Sequence, residues 1–419
     1  MTPAARLQAA IEILDGLNGT ALPADRFIRD WFRKRRYAGS KDRVAVAERV
    51  FDVLRHRNAF AWRMQSEAPR ALVIASLLQE GQTADSIHAF FRGEGYGPPP
   101  LTEGEIQAIA SPPRGEPPSH VRREYPQWLE PELQRGLGEY LPEEMLAMRE
   151  RAPIDLRVNT LKATRSDVLQ QLREDGFDAE STRYSPVGIR IPAGARGLEK
   201  TALFEAGAFE LQDEASQIAA LMADPKPGMR VLDLAAGTGG KSLAMAAQMR
   251  NEGEIVATDV DAGRLRQLAV RAERAGVKIL LPGLRGGEGA TLFDRVLVDA
   301  PCSGTGTWRR QPELRWRLTA ERLEALRALQ AQLLEEGARH TKPGSRLIYA
   351  TCSVLPCENE DQIAAFLARH TDFVIRDARG VWSGSQATIA PPGAGEFYRA
   401  TPLVDDTDGF FAAVLERMV

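Results

Sequence analysis

Cysteine is nearly absent from this chain: 419 residues carry three, Cys302, Cys352 and Cys357, all within the two stretches DAPCSGTG and ATCSVLPCENE. Thiols confined to two strand ends exclude a disulfide-stapled secreted scaffold. They fit a reducing compartment, where a free thiolate survives as a nucleophile. Histidine is also sparse, five in all and none beside the cysteines, so no metal site is expected. Long apolar runs are missing, which excludes a membrane-spanning helix and leaves no membrane partner to expect. The first residues, MTPAARLQAAIEILDGL, lack a basic start, an apolar core and a small-residue cleavage site, so the expected location is the cytoplasm, and the expected state a monomer. A large charge excess is lacking too: a net charge of −3 argues against indiscriminate binding to nucleic acid.

The chain does hold one local concentration of charge. Residues 26–70 contain thirteen Arg or Lys against five Asp or Glu, including the run Arg33, Lys34, Arg35, Arg36, with Phe27, Trp31, Phe32, Tyr37 and Trp62 interleaved. Such a run is either a solvated helix face with its aromatics in a core, or a surface that tracks phosphates.

Prolines divide the chain. Residues 1–95 are helical in pattern, with Ala47, Val50, Phe51 and Leu54 at helical spacing, and the prolines of 98–120 oppose helix and central strand alike, so a helical domain with a Pro-rich linker is expected over 1–125. A small α+β domain is expected over 126–220, with strands IDLRVNTLK (154–162) and GIRIP (188–192) and a helix capped by Ser166. From residue 221 to 419, strands and helices alternate, the pattern of an α/β, Rossmann-like, mostly parallel, doubly wound sheet.

That third region opens with VLDLAAGTGGKSLAMAAQM, read as a strand over 231–234, a tight turn over 235–240 and a helix from Ser242 onward. Asp259 ends the next strand, EIVATD, where an acid suits paired ribose hydroxyls. A dinucleotide fingerprint is incomplete because Ser242 holds its third glycine position, and a phosphate-binding P-loop is incomplete because Ala235 holds its first. S-adenosylmethionine needs the turn and the acid but no phosphate cradle, and fits best. The candidate cofactor residues are Ala235, Ala236, Gly237, Thr238, Gly239, Gly240, Lys241, Asp259 and Asp299.

The segments DRVLVDAPCSGTGTWRRQPELRW (294–316) and RLIYATCSVLPCENE (346–360), with RVNTLK, LQDEASQ and DGFFAAVLE, resemble the RsmB/Sun-type RNA cytosine-5 methyltransferases. The start, with RYAGSKDR, is similar to the NusB-like helical RNA-binding domain of the bacterial members, and the middle domain to their RRM-like one. This resemblance implies S-adenosylmethionine as cofactor and RNA as partner, ribosomal by likeness to the bacterial branch, with transfer RNA left open. It also implies roles: Cys352 as nucleophile, Cys302 in proton removal or product release, and Asp299 on the polar edge of the cytosine. RNA contacts are expected at Arg33, Lys34, Arg35 and Arg36, at Arg157, Asn159 and Lys162, which touch either the RNA backbone or the cofactor region, and at Arg309 and Arg310, which either clamp RNA or form a solvated pair beside a packed Trp308. Cys357 is expected to be a bystander, and Lys342, Pro343 and Gly344 to end the helix over 319–340.

The chain departs from the family in two places. The cofactor loop lacks the proline usual before the paired glycines. Where the family has an adenine-accepting acid after the third strand, this chain has Arg285, which cannot accept a hydrogen bond, with Glu288 nearby as a substitute. A non-catalytic RNA-binding factor on a decayed methyltransferase fold is the reading from another class.

Overall fold

The computed structural model describes residues 1–283, 291–383 and 395–419. They fall into two units, Met1–Pro131 with Gln311–Arg317, and Glu132–Arg310 with Leu318–Val419.

The first unit is helical. Its central helix, Pro69–Gln79, reads PRALVIASLLQ, apolar on all sides, and every residue over 71–77 is buried. Helices Pro3–Asn18, Ser40–Arg55 and Arg57–Met64 pack on it, burying Ile13, Leu14, Val46, Val50, Val53 and Phe60. The Pro-rich stretch is not irregular throughout: Glu103–Ala110 is a helix, because Thr102 accepts from the Glu105 N–H and Glu105 bonds back to the Thr102 N–H. Local capping outweighs the flanking prolines.

Gln311–Arg317 was expected within the α/β domain, yet it folds with this helical unit. Helix Ala24–Arg33 begins after Pro23, which has no side-chain acceptor, and the buried Glu313 supplies one at 2.8 Å from the Ala24 N–H. The Trp316 indole donates to the Leu54 carbonyl at 2.7 Å, and Arg317 donates to the carbonyls of Leu22 and Leu17. A piece of chain only a few residues past Cys302 is thus built into the helical unit.

The second unit holds two sheets. In the smaller, strands β1 (Ile154–Val158), β2 (Glu180–Ser181), β3 (Gly188–Ile191) and β4 (Phe209–Leu211) run in the order β2-β3-β1-β4, all antiparallel. The helix Arg165–Glu174 crosses it, capped by Thr164, whose hydroxyl accepts from Asp167 N–H, and not by Ser166. Both residues are good caps; the helix starts two residues earlier than expected.

The larger sheet comprises β5 (Arg230–Leu234), β6 (Glu254–Ala257), β7 (Leu280–Pro282), β8 (Phe293–Asp299), β9 (Thr341–Thr351), β10 (Phe373–Arg376), β11 (Tyr398–Ala400) and β12 (Phe410–Arg417). Its order is β10-β12-β9-β8-β5-β6-β7, with β11 on β12; β7, β6, β5, β8 and β9 are parallel, and β12 runs antiparallel beside β9. Because β5 neighbours both β6 and β8, chain order reverses there and a crevice opens at the strands' carboxyl ends, where Asp233, Asp259 and Asp299 lie. Lys342, Pro343 and Gly344 lie inside β9, not in a helix-ending turn, and the β8–β9 register shifts beside them, which accommodates the missing proline N–H.

Candidate active site

The loop after β5 turns through three left-handed residues, Ala235 (φ 60°), Gly237 (φ 58°) and Gly239 (φ 84°), before helix Gly240–Gln248. At Gly239 a side chain would be strained by the left-handed φ and its Cβ, 1.8 Å from the Leu268 Cδ1, would push that side chain aside. Gly237 faces open space, as a ligand's close approach requires. The Thr238 carbonyl and hydroxyl each accept from Arg271 Nη1 at 2.8 Å, so a side-chain anchor holds the loop that lacks the family's proline. Ser242, the residue that spoils the dinucleotide fingerprint, is buried and donates to the Asp233 carboxylate. Burial pushes the Asp233 carboxyl up to about 7, against the pull of the Ser242 hydrogen bond.

Asp259 sits where the strand spacing puts it, and its carboxylate also organises the turn, accepting from the N–H groups of Gly237 at 2.9 Å and Asp261 at 2.7 Å. Gly237 to Gly240 and Asp259 thus make one small-residue rim closed by an acid, a fit for the ribose and methionine portions of S-adenosylmethionine. Lys241 lies apart from that rim: its Nζ meets Asp299 Oδ2 at 2.7 Å, with the Phe410 ring 5.1 Å away. Arg285 and Glu288 lie outside the described residues.

The ends of β8 and β9 bring the two motif cysteines together. Cys302 Sγ and Cys352 Sγ are 3.4 Å apart, both half-buried and both free thiols. The hydrogen bond to Cys352, reinforced by burial and by the charge of Glu358, holds the Cys302 thiol well above the ordinary range. Behind the thiols the two loops are stitched together. Gly306 N–H donates to the Cys352 carbonyl at 3.0 Å, and the hydroxyls of Thr305 and Ser353 meet at 3.0 Å. Glu358, fully buried, accepts from the Ser303 N–H at 2.8 Å, the Ser303 hydroxyl at 2.5 Å and Gln330 at 3.0 Å.

Sequence reasoning named Cys357 in that stretch but not the function of its neighbour. Cys357 itself is buried, its thiol pushed up by burial and by Glu132. Glu358 was legible only as an acid at a helix start, in the polar run ENED; Lys241 could have been paired with Asp299 from the adjacency of β5 and β8.

Several residues expected at RNA are occupied within the fold. Arg157 is buried, donates to the Gly240 carbonyl at 2.8 Å and is pulled down to about 10 by burial, so it supports the cofactor turn from beneath. Asn159, also buried, donates to the carbonyls of Gly207 and Ala275, and Lys162 to those of Ala206 and Arg274, tying the small domain to the helix Ala262–Ala275. Arg309 is buried against Asp408, and Arg310 bridges Asp408, Asp213 and the Pro153 carbonyl. Those two carboxylates hold Arg310 above its ordinary range although burial opposes it. Trp308 is buried as well. In the helical unit, Arg33 pairs with Asp30, and Arg35 lies 3.7 Å over the Trp31 ring and meets Glu12 at 3.4 Å; Lys34 and Arg36 are exposed.

Residues 220–416 match the 16S rRNA methyltransferase RsmB/F family, and 125–196 match the RsmF/B-like ferredoxin-like domain. The chain belongs to the RsmB/F methyltransferase family. The probable ribosomal RNA small subunit methyltransferase B of Synechocystis is 33% identical over 302 residues, 70% of this chain and 67% of that protein, so the likeness spans about two thirds of the relative's length. Among solved structures, PH0851 is 27% identical with a TM-score of 0.79, covering 100% of this chain and 99% of that one. A methyltransferase homolog from Pyrococcus horikoshii is 30% identical with a TM-score of 0.61, covering 72% of this chain and 98% of that one. The fold is that of an S-adenosylmethionine-dependent methyltransferase with an added ferredoxin-like domain and a helical N-terminal region.

Proposed function

We propose that this chain methylates carbon 5 of a cytosine in ribosomal RNA through a covalent adduct with Cys352. The observation that carries the reading is the Cys302–Cys352 pair at 3.4 Å, on the same crevice rim as the Asp299–Lys241 ion pair. The ribosomal substrate is taken over from the name of the Synechocystis relative.

Carbon 5 of cytosine is a weak nucleophile, and covalent catalysis divides its barrier. The Cys352 thiolate adds to carbon 6, forming a C–S bond and shifting the ring electrons toward carbon 5. S-adenosylmethionine, which Gly237 to Gly240 and Asp259 would hold, would supply the methyl group to carbon 5, its S–CH3 bond breaking to leave S-adenosylhomocysteine. A base then removes the remaining proton from carbon 5, the C–S bond breaks, and the ring and the thiolate are restored. Cys302 fits that later step. Its sulfur lies 3.4 Å from that of Cys352, within reach of the adduct as the C–S bond breaks. Asp299 is placed for the cytosine's amino edge, and the Lys241 ammonium beside it offers positive charge where negative charge builds on the ring. Arg33, Lys34 and Arg36 supply exposed phosphate contacts on the helical unit.

Bisulfite sequencing of ribosomal RNA from cells with and without this protein tests the reading. A cytosine protected only when the protein is present is expected; identical maps overturn it.

A further inference from the structure

The helical unit contains an open cavity of about 1140 Å³, formed by Pro3–Asn18, the end of Ala24–Arg33 and the turn after Ala84–Phe90. Its size exceeds the roughly 300–1,000 Å³ of a small-molecule pocket, which points to an extended ligand. Trp31, Tyr37, Phe90 and Tyr96 line it. Tyr96 is 86% exposed and Tyr37 69% exposed, more than any other aromatic residue named among the exposed apolar ones, and both border this single cavity. Folding leaves these two rings in water, since neither packs in the unit's core.

Charge around the rings is equally uncommitted. Several arginines of this unit are paired: Arg6 with Asp42, Arg29 with Asp25, Arg49 with Glu80, Arg70 with Glu105. Arg92 on the cavity wall, and Lys34 and Arg36 shortly before Tyr37 in the chain, are exposed and enter no ion pair among the described residues. Glu12 and Glu94 also line the cavity, but Glu12 is taken up by Arg35 at 3.4 Å, and Arg35 in turn lies flat on Trp31. Free planar rings beside free cations suit a ligand with alternating flat rings and negative charges. A lipid surface would want an apolar rim without an acid, and a duplex hides its ring faces.

We propose that this groove binds a single-stranded segment of the RNA substrate, with unstacked bases lying on Tyr37 and Tyr96 and the phosphates met by Arg92, Lys34 and Arg36. The proposal rests on the RNA reading above and adds the mode of recognition and the residues that provide it. Stacking of this kind tolerates any base, so it places the substrate without selecting the cytosine.

The test uses the full chain and a labelled single-stranded RNA of about 12 nucleotides, with a duplex of the same sequence alongside. The double variant Tyr37→Ala/Tyr96→Ala is expected to weaken single-strand binding about tenfold and duplex binding little, with unchanged thermal midpoint, because both side chains are exposed. Tyr37→Phe/Tyr96→Phe keeps the rings and should bind as the parent does. Equal single-strand affinity in the alanine variant and the parent overturns the proposal, and so does an equal loss for duplex and single strand, which would mark the groove as a charged surface or a protein's docking site. Methyl transfer to RNA by the parent, measured in parallel, separates the two readings. A parent that transfers no methyl group while the alanine variant still loses affinity overturns the catalytic reading alone; a parent that methylates alongside an alanine variant of full affinity overturns the groove alone.

Discussion

Glu358 accepts both the N–H and the hydroxyl of Ser303, at 2.8 and 2.5 Å, and Ser303 directly follows Cys302. A carboxylate carried on the Cys352 loop therefore clamps the loop of the other thiol, and its charge helps keep Cys302 protonated. Glu358→Ala should unfold at lower denaturant than the parent, by about 2–4 kcal/mol, because it strands buried donors. Glu358→Gln keeps an acceptor and loses the charge. With that negative neighbour gone, the Cys302 thiolate becomes easier to form, so Cys302 should alkylate at lower pH in Glu358→Gln than in the parent, followed by peptide mass mapping in a Cys352→Ala background. An unchanged pH profile would show that Glu358 acts through geometry alone.

Glu313 and Trp316 define the second expectation. Glu313→Ala removes the acceptor at the start of helix Ala24–Arg33 and should cost about 1 kcal/mol. Trp316→Ala loses both packing and the hydrogen bond to the Leu54 carbonyl, about 2–4 kcal/mol. Chemical denaturation measures both. A chain shortened to begin at Glu132 leaves Gln311–Arg317 without the helices it folds with, and should aggregate at concentrations where the full chain does not.

What the sequence made legible, and what it hid, follows from the range of the interactions. The turn over 235–240 was readable because glycine spacing and the strand before it are local. The thiol pair was readable because each cysteine ends a strand of a parallel sheet, and neighbouring parallel strands end together. Arg157, Asn159 and Lys162 looked like RNA ligands because their acceptors are carbonyls of Gly240, Gly207, Ala275, Ala206 and Arg274, which leave no trace in side-chain identity. The ion pairs of Arg309 and Arg310 were hidden for a related reason: their carboxylates, Asp213 and Asp408, lie far away in the chain. The helix Glu103–Ala110 was hidden by its proline surroundings although its capping box is a local signal.

Asp259 carries the third expectation. Asp259→Ala should weaken S-adenosylmethionine binding by about 1.5–3 kcal/mol if the carboxylate meets a ribose hydroxyl through a charge-assisted bond. The same change frees the N–H groups of Gly237 and Asp261, so the loop should also exchange its amide hydrogens faster. Calorimetry on the parent and the variant decides the first part: equal affinity would move the ribose elsewhere, whatever the loop does.

The thiols themselves allow the sharpest contrast. If Cys352 is the nucleophile, Cys352→Ala abolishes turnover and every covalent RNA adduct, because no carbon 6 addition occurs without it. Cys302→Ala should also lose turnover, yet it keeps the nucleophile and lacks the sulfur that sits 3.4 Å away for the release step. An adduct that survives denaturation should therefore accumulate in Cys302→Ala incubated with substrate RNA and S-adenosylmethionine. Cys357→Ala, whose thiol is buried against Glu132 away from the pair, should turn over as the parent does. Denaturing electrophoresis with labelled RNA reads all three variants at once. An adduct in Cys352→Ala and none in Cys302→Ala would exchange the two roles.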